Sequence, residues 1–125
     1  VQEVGFITTD DGLFGLSPDG LIGDDGVLEV KTMVSSDTLF TAVADGDLSS
    51  YIDQCNGYLW LLGRQWVDLC LWCPDLESIG LQMTIHRITR DEAAIELLEA
   101  DLLAFSGRVD GYEAALRSAA KRAAK

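Results

Sequence analysis

A chain of 125 residues is enough for one domain with one ordinary core, and an apolar content of 48% argues against a disordered tail. No run approaches the roughly 20 apolar residues of a membrane-spanning helix. A net charge of −12 argues against a general nucleic-acid binder, which carries a basic face; the basic residues Arg117, Lys121, Arg122 and Lys125 crowd the C-terminal end.

The opening segment alternates β-prone pieces with turn signals. Strands are expected near residues 5–9 and 13–17, joined by the turn Asp10-Asp11-Gly12. A second Asp-Asp-Gly at 24–26 leads into a third strand over residues 27–32. Ser35 or Ser36 is a plausible N-cap for a short helix that Gly46 stops. The clearest helix runs from about Ser50 to Leu62 and ends at Gly63, with Tyr51, Cys55, Tyr58 and Leu62 at helical spacing. Strands over 66–72 and 81–88 follow, joined by a turn around Pro74-Asp75. Thr89 and Glu92 form a capping-box pattern before a long amphipathic helix, which Gly107 and Gly111 are expected to kink or split. The order β-β-β-α-α-β-β-α predicts an α/β or α+β domain with a mixed sheet, its closing strand pair antiparallel or at an edge.

Three cysteines, Cys55, Cys70 and Cys73, make an odd, sparse set that suits a reducing compartment. Cys70 and Cys73 lie three apart in a strand pattern and so face opposite ways, a poor geometry for one metal ion. They are expected to be buried apolar thiols, and Tyr58, Trp60, Trp66 and Trp72 to be core. His86 is expected to be structural or at the surface.

The chemistry concentrates between Ser17 and Thr32, "SPDGLIGDDGVLEVKT". On a strand Glu29 and Lys31 share a face, with Val30 turned into the core between them. By themselves they read as a solvated ion pair. Asp19 changes that. A two-residue Asp24-Asp25 loop puts Asp19 on the wrong side from Glu29; a three-residue loop or a bulge at Pro18-Asp19-Gly20 brings the carboxylates together. Two converging carboxylates suit a hard cation such as Mg²⁺, with the Val30 carbonyl as a further oxygen. A neighbouring Lys then orients a water or meets developing phosphate charge. Gln54, flanked by Tyr51 and Tyr58 at helical spacing, is placed on the inward face of its helix.

Pro18-Asp19 followed by Glu29-Val30-Lys31 resembles the PD-(D/E)XK nuclease superfamily, and "SPDGL…LEVKT" with "QCNGYLW" and "ITRDE" looks like the lambda exonuclease and YqaJ-type viral recombinase family. The resemblance implies a restriction-endonuclease-like core. It implies Asp19, Glu29 and the Val30 carbonyl as metal ligands, Lys31 as catalytic lysine and Gln54 at the same site. It further implies Mg²⁺, with Mn²⁺ able to substitute, and 5′→3′ digestion of double-stranded DNA ends in phage-type recombination. Its partners would be a single-strand annealing protein and two further copies in a ring-shaped trimer, in the cytoplasm of a bacterial host. Family members carry upstream helices that complete the site, so residues 1–125 are expected to be the C-terminal part of a larger chain. A CRISPR-associated or helicase-linked nuclease of the superfamily is the nearer alternative; many of those use a four-Cys iron–sulfur cluster. A non-catalytic Ca²⁺-binding or protein-interaction module, built on the acidic turns, is the alternative of another class. It leaves Lys31 without a task.

Overall fold

The computed structural model of the chain describes residues 1–125. The opening strands are shorter than the sequence predicts: β1 (Ile7–Thr8) and β2 (Gly15–Leu16) form a separate antiparallel pair. The first acidic turn closes between them, with the Gly12 N–H donating to Thr9 O at 2.9 Å and the Thr9 hydroxyl donating to Asp11 at 2.5 Å. After the Pro18-Asp19 bend comes a strand the sequence did not announce, β3 (Gly20–Ile22). At three residues, one of them Gly, it is too short to show an alternating pattern.

β3 pairs antiparallel with β4 (Gly26–Thr32), Gly20 opposite Leu28 and Ile22 opposite Gly26, so the loop between them is Gly23-Asp24-Asp25. Gly23 takes φ +55° in that loop, where a side chain would be strained. Gly26 is required for a different reason: a Cβ there would run into the Trp66 ring.

The first helical segment is α1 (Ser36–Leu39), continued by a π-helical turn over Phe40–Ala44. Ser35 sits at its N-cap without making the side-chain bond that was expected of it. The second helix, α2 (Ser49–Leu62), ends at Gly63 as predicted. β5 (Trp66–Trp72) matches its expected bounds, and β6 (Met83–Thr89) starts later than expected because a 3-10 helix occupies Pro74–Ile79.

Helix α3 (Glu92–Ala123) differs from expectation at both points. Asp91, not Thr89, caps it: the Asp91 carboxylate accepts from the Ala93 and Ala94 N–H groups. It is also one unbroken helix of 32 residues. Gly107 and Gly111 each cost only about 1 kcal/mol relative to Ala, and the Ala-rich sequence around them carries the helix through.

The main sheet has the order β3-β4-β5-β6, with β4 and β5 parallel and the outer pairs antiparallel, so the fold is a mixed sheet with flanking helices. The closing pair is antiparallel and β6 forms an edge, as read from the sequence. One core cluster joins Val27 and Val67 of the sheet to Cys55, Tyr58 and Leu59 of α2 and Ile95 of α3. A second joins Leu69, Leu71 and Cys73 to Met33 and Ala42. Both clusters lie on the face that carries Val27, Glu29, Val67 and Leu69.

That arrangement corrects two expectations. Val30 points away from the helices and is 38% exposed, while Glu29 is the residue turned inward at 5%. Trp72, on Val30's face of the sheet, is 40% exposed instead of core. The physical reason is shared: strand alternation sends these residues to the face that no helix of the described chain covers. Tyr58 is buried, and Trp60 and Trp66 are half-buried. Cys70 and Cys73 are buried free thiols, as expected. His86 is half-buried on β6, its Nε2 3.3 Å from the Thr84 hydroxyl and two strands away from Glu29.

Candidate functional site

Glu29 is the centre of a hydrogen-bonded constellation on the helix-covered face. α2 lies over β4 because Cys55, Tyr58 and Leu59 pack onto Val27 and Val67. This seats Tyr58 and Gln54, one helical turn apart, above Glu29. The Tyr58 hydroxyl donates to Glu29 Oε2 at 2.5 Å. The Gln54 amide donates to the Tyr58 oxygen at 2.8 Å and reaches Glu29 Oε1 at 3.4 Å. Lys31, two residues along the strand, sets its Nζ 3.1 Å from Glu29 Oε1. A carboxylate this buried needs such partners, because an unpaired charge in the interior is costly.

Asp19 comes to the same place through strand register. The three-residue loop is the alternative that unites the two carboxylates: one step beyond the Gly20–Leu28 pair, Asp19 stands across from Glu29. Asp19 is exposed, and its Oδ2 accepts the Val30 N–H at 2.7 Å. A strand residue presents its N–H and C=O to the same side, so the Val30 carbonyl is directed toward Asp19 as well. Asp19, Glu29, Val30, Lys31 and Gln54, the residues singled out from the sequence, thus converge at the end of the short β3–β4 ladder.

The sequence reading missed Tyr58 as part of the constellation and assigned it to the core. It is core by burial, 2% exposed, yet its hydroxyl is spent on Glu29. The available signal was the i, i+4 spacing of Gln54 and Tyr58. Burial, and then the hydrogen bond it donates to Glu29, raise the Tyr58 pKa well above the ordinary tyrosine value. Cys55, beside it in the core, is pushed up to about 11 by burial and by the Glu29 charge, partly offset by Lys31.

The electrostatics of the constellation are those of an acidic pocket with one ammonium. No group of three or more His, Cys, Asp and Glu side chains gathers anywhere in the molecule, so any ion held here has two carboxylates and main-chain oxygen to bind. The Asp10-Asp11 and Asp24-Asp25 turns gather no third ligand either. Adjacent to Gln54 and Tyr58, an open groove of about 390 Å³ runs between the β2 strand, α2 and α3, lined by Phe14, Leu16, Trp60, Leu61, Leu98 and Leu102. Phe14 and Trp60 meet edge-to-face there, with centroids 5.4 Å apart.

No family model and no curated protein sequence matches the chain. Among solved structures it is similar to an alkaline exonuclease, LHK-Exo, from Laribacter hongkongensis: 36% identity over 97% of this chain, with a TM-score of 0.83. The structure of LHK-Exo in complex with dAMP superposes with a TM-score of 0.84 at the same identity. The chain spans 63% of the length of these relatives. A mixed sheet carrying Asp19 across from Glu29-x-Lys31, with Gln54 above them, has the residue pattern of the PD-(D/E)XK superfamily. Within that superfamily the chain belongs to the lambda exonuclease-like family.

Proposed function

We propose that the chain is the catalytic core of a divalent-metal-dependent DNA exonuclease that hydrolyses phosphodiester bonds at duplex ends. The observation that carries this reading is the buried Glu29, held by Tyr58, Gln54 and Lys31 with Asp19 across from it, in a fold shared at 36% identity with an exonuclease. The dAMP bound to that relative supports a nucleotide as the ligand class. We assign 5′→3′ polarity and a place in phage-type recombination on the family resemblance. The same resemblance supports a single-strand annealing protein and further copies of the chain as partners.

The donor set fits Mg²⁺. That ion takes one or two carboxylates, keeps several waters and tolerates few protein ligands, which suits Asp19, Glu29 and the Val30 carbonyl. Mn²⁺ fits the same oxygens. When bound, the ion supplies an activated water and neutralises charge on the scissile phosphate.

The chain's own residues do the remaining work. Glu29 is held in one orientation by the Tyr58 hydroxyl, so its free lone pairs stay aimed at the Asp19 side. Asp19 is held by the Val30 N–H. Lys31, with its ammonium at the rim of the constellation, orients the nucleophilic water and meets the charge that grows on the phosphate oxygens, a benefit realised in the transition state. Gln54 keeps the Tyr58 hydroxyl turned toward Glu29 by donating to its oxygen. The net charge of −12 means that affinity for DNA rests on contacts made through the ion and on the C-terminal basic cluster.

The deciding experiment digests end-labelled linear duplex DNA with and without Mg²⁺, using wild type, Asp19→Ala and Glu29→Ala. Metal-dependent release of nucleotides from ends by wild type, lost in both variants with their melting curves retained, is the expected result. Digestion that persists in EDTA, or in either variant, removes the assignment. Labelling each strand terminus separately reads the polarity.

A further inference from the structure

Asp19 reaches Glu29 only because β3 lies in one register on β4. With Gly23-Asp24-Asp25 as the loop, Asp19 stands across from Glu29. With Asp24-Asp25 alone as the loop, it would stand across from Val30, on the opposite face. The strand does not defend that choice by itself. Its two side chains, Leu21 and Ile22, are both apolar, so a slide by one residue exchanges one for the other against the core. Nor does the loop sequence defend it. Asp25-Gly26 is a strong signal for a two-residue hairpin turn, which needs positive φ at both positions; in this loop Gly23 has positive φ and Gly26 does not. On its other margin β3 meets only Gln2, which bonds Leu21 and says nothing about the residue of β4 that Leu21 faces.

The register is held from outside, by the segment Arg64-Gln65-Trp66 that joins α2 to β5. Arg64 Nη1 donates to the Gly23 carbonyl at 2.8 Å and to the Gly26 carbonyl at 3.0 Å, so one nitrogen ties the start of the loop to the start of β4. The Gln65 and Trp66 N–H groups both donate to the Asp25 carbonyl, at 2.8 and 3.2 Å. The Trp66 ring lies against Gly26, where a Cβ has no room. Arg87 stacks on that ring, 3.7 Å from its centroid, while bonding both oxygens of Asp68. Arg64 itself pairs with no carboxylate; its guanidinium is spent on main-chain oxygen. A two-residue loop would draw Gly23 into the ladder, replace its left-handed backbone with an extended one, and re-aim the carbonyl that Arg64 holds.

We infer that Arg64 is a positioning residue for the metal site: its clamp on Gly23 and Gly26 selects the β3–β4 register in which the Asp19 carboxylate faces Glu29. What the register serves rests on the nuclease reading; the register itself rests on the geometry alone. Without the clamp the chain divides between two registers, and an ion that binds only one of them draws the population back. Apparent metal affinity then falls with the competent fraction, while the rate at saturating metal is kept.

The test compares wild type, Arg64→Ala and Arg64→Lys in the whole protein. Without metal, nuclear Overhauser contacts in wild type link the backbone of Leu21 to Val27, and Arg64→Ala adds a second set linking Ile22 to Val27. With about nine-tenths of the molecules slipped, Mn²⁺ affinity read by calorimetry falls about tenfold. The Mg²⁺ needed for half-maximal digestion rises by the same factor, and the rate at saturating Mg²⁺ stays within about twofold of wild type. Arg64→Lys supplies enough donors but ends one bond short, so it falls between the two. A single, unshifted set of Leu21–Val27 contacts in both variants would overturn the inference, as would a loss of rate that saturating Mg²⁺ does not recover. If Arg64→Ala does not fold, Arg64→Lys decides by the same criteria. If wild type digests nothing, the nuclease reading fails and the backbone contacts still decide the clamp.

Discussion

Tyr58 donates its hydroxyl proton to Glu29 Oε2 at 2.5 Å while accepting one from the Gln54 amide at 2.8 Å. Donor chains of this kind polarise one another, so the bond onto Glu29 is stronger than Tyr58 alone would make it. The buried carboxylate is thereby fixed in orientation from the helix side, and Lys31 fixes its other oxygen from the strand side.

Tyr58→Phe removes one donor from a buried carboxylate and keeps the ring in the core. The loss of a hydrogen bond to a charged group is worth about 1.5–3 kcal/mol. Single-turnover hydrolysis is expected to slow by about tenfold or more, with a modest rise in the Mg²⁺ concentration needed. Gln54→Ala, which leaves Tyr58 in place, should show a smaller loss. Equal rates for wild type and Tyr58→Phe would mean that the hydroxyl only fills the core.

Lys31→Met separates a catalytic ammonium from a charge-balancing one. A partly exposed ion pair contributes about 0–1 kcal/mol to stability, so the melting temperature should shift little. Loss of a preorganised charged donor in the transition state costs on the order of 100-fold or more in rate. Metal and DNA binding should remain near wild type, because Asp19 and Glu29 stay. Lys31→Arg is not expected to rescue, since a planar fork does not reproduce a compact ammonium. Single-turnover rates on linear duplex DNA decide the matter.

Arg90 holds the far end of α2. Its guanidinium donates to the Leu59 carbonyl at 2.6 Å and the Arg64 carbonyl at 3.0 Å, and pairs with Glu92 at 2.5 Å. The Leu59 carbonyl already accepts the Gly63 N–H at 3.0 Å, so the guanidinium adds a second, charged donor to it and sets positive charge at the negative end of the helix dipole. Arg90→Leu should cost about 2–3 kcal/mol in urea unfolding without changing the m-value. Because α2 carries Gln54 and Tyr58, the variant should also need more Mg²⁺ for half-maximal activity.

Alkali should destabilise the fold through its buried thiols, Cys55, Cys70 and Cys73, and through Tyr58, all of which burial raises. Cys55 is raised from its ordinary value near 9 to about 11, and Tyr58 is raised above the ordinary tyrosine value. As pH rises past 9, the unfolded chain loses the Cys55 proton while the folded chain keeps it. The unfolded state then binds fewer protons, so unfolding free energy falls with pH, by at most about 1.4 kcal/mol per unit for one group. The Cys55 contribution should thus be constant below pH 9 and decline above it, and Cys55→Ala should flatten the first part of the decline. Tyr58 keeps its proton through the same range, so its bond to Glu29 outlasts ordinary tyrosine ionisation. Urea midpoints measured across this pH range check both statements.

The long elements were legible because their signals are local. β5 showed a β-rich run of seven residues, and Gly63 marks the end of α2 through its own left-handed backbone. β3 was not legible, since three residues carry no period and its pairing with β4 is a tertiary fact. The direction of Val30 was misread for a related reason. Alternation tells which residues share a face, and only the placement of the helices tells which face is inside. The gathering of Asp19, Glu29, Lys31 and Gln54 was readable as chemistry, but it depended on a loop of three residues in place of two, which the sequence left open. Tyr58 was hidden because a buried aromatic looks like core whether or not its hydroxyl has work.

The bond from the Val30 N–H to Asp19 Oδ2 has a second consequence. β3 ends its ladder at Gly20, and past that point the margin of β4 has no neighbouring strand. An open margin of main-chain donors invites another chain to add itself as a strand, and natural sheets guard such margins with charge. Asp19 is such a guard: its carboxylate takes up the donor that an intruding strand would use. The gap beside Glu29 is thus kept from being filled by stray polypeptide, and the side chain that keeps it clear is itself the carboxylate that stands across from Glu29.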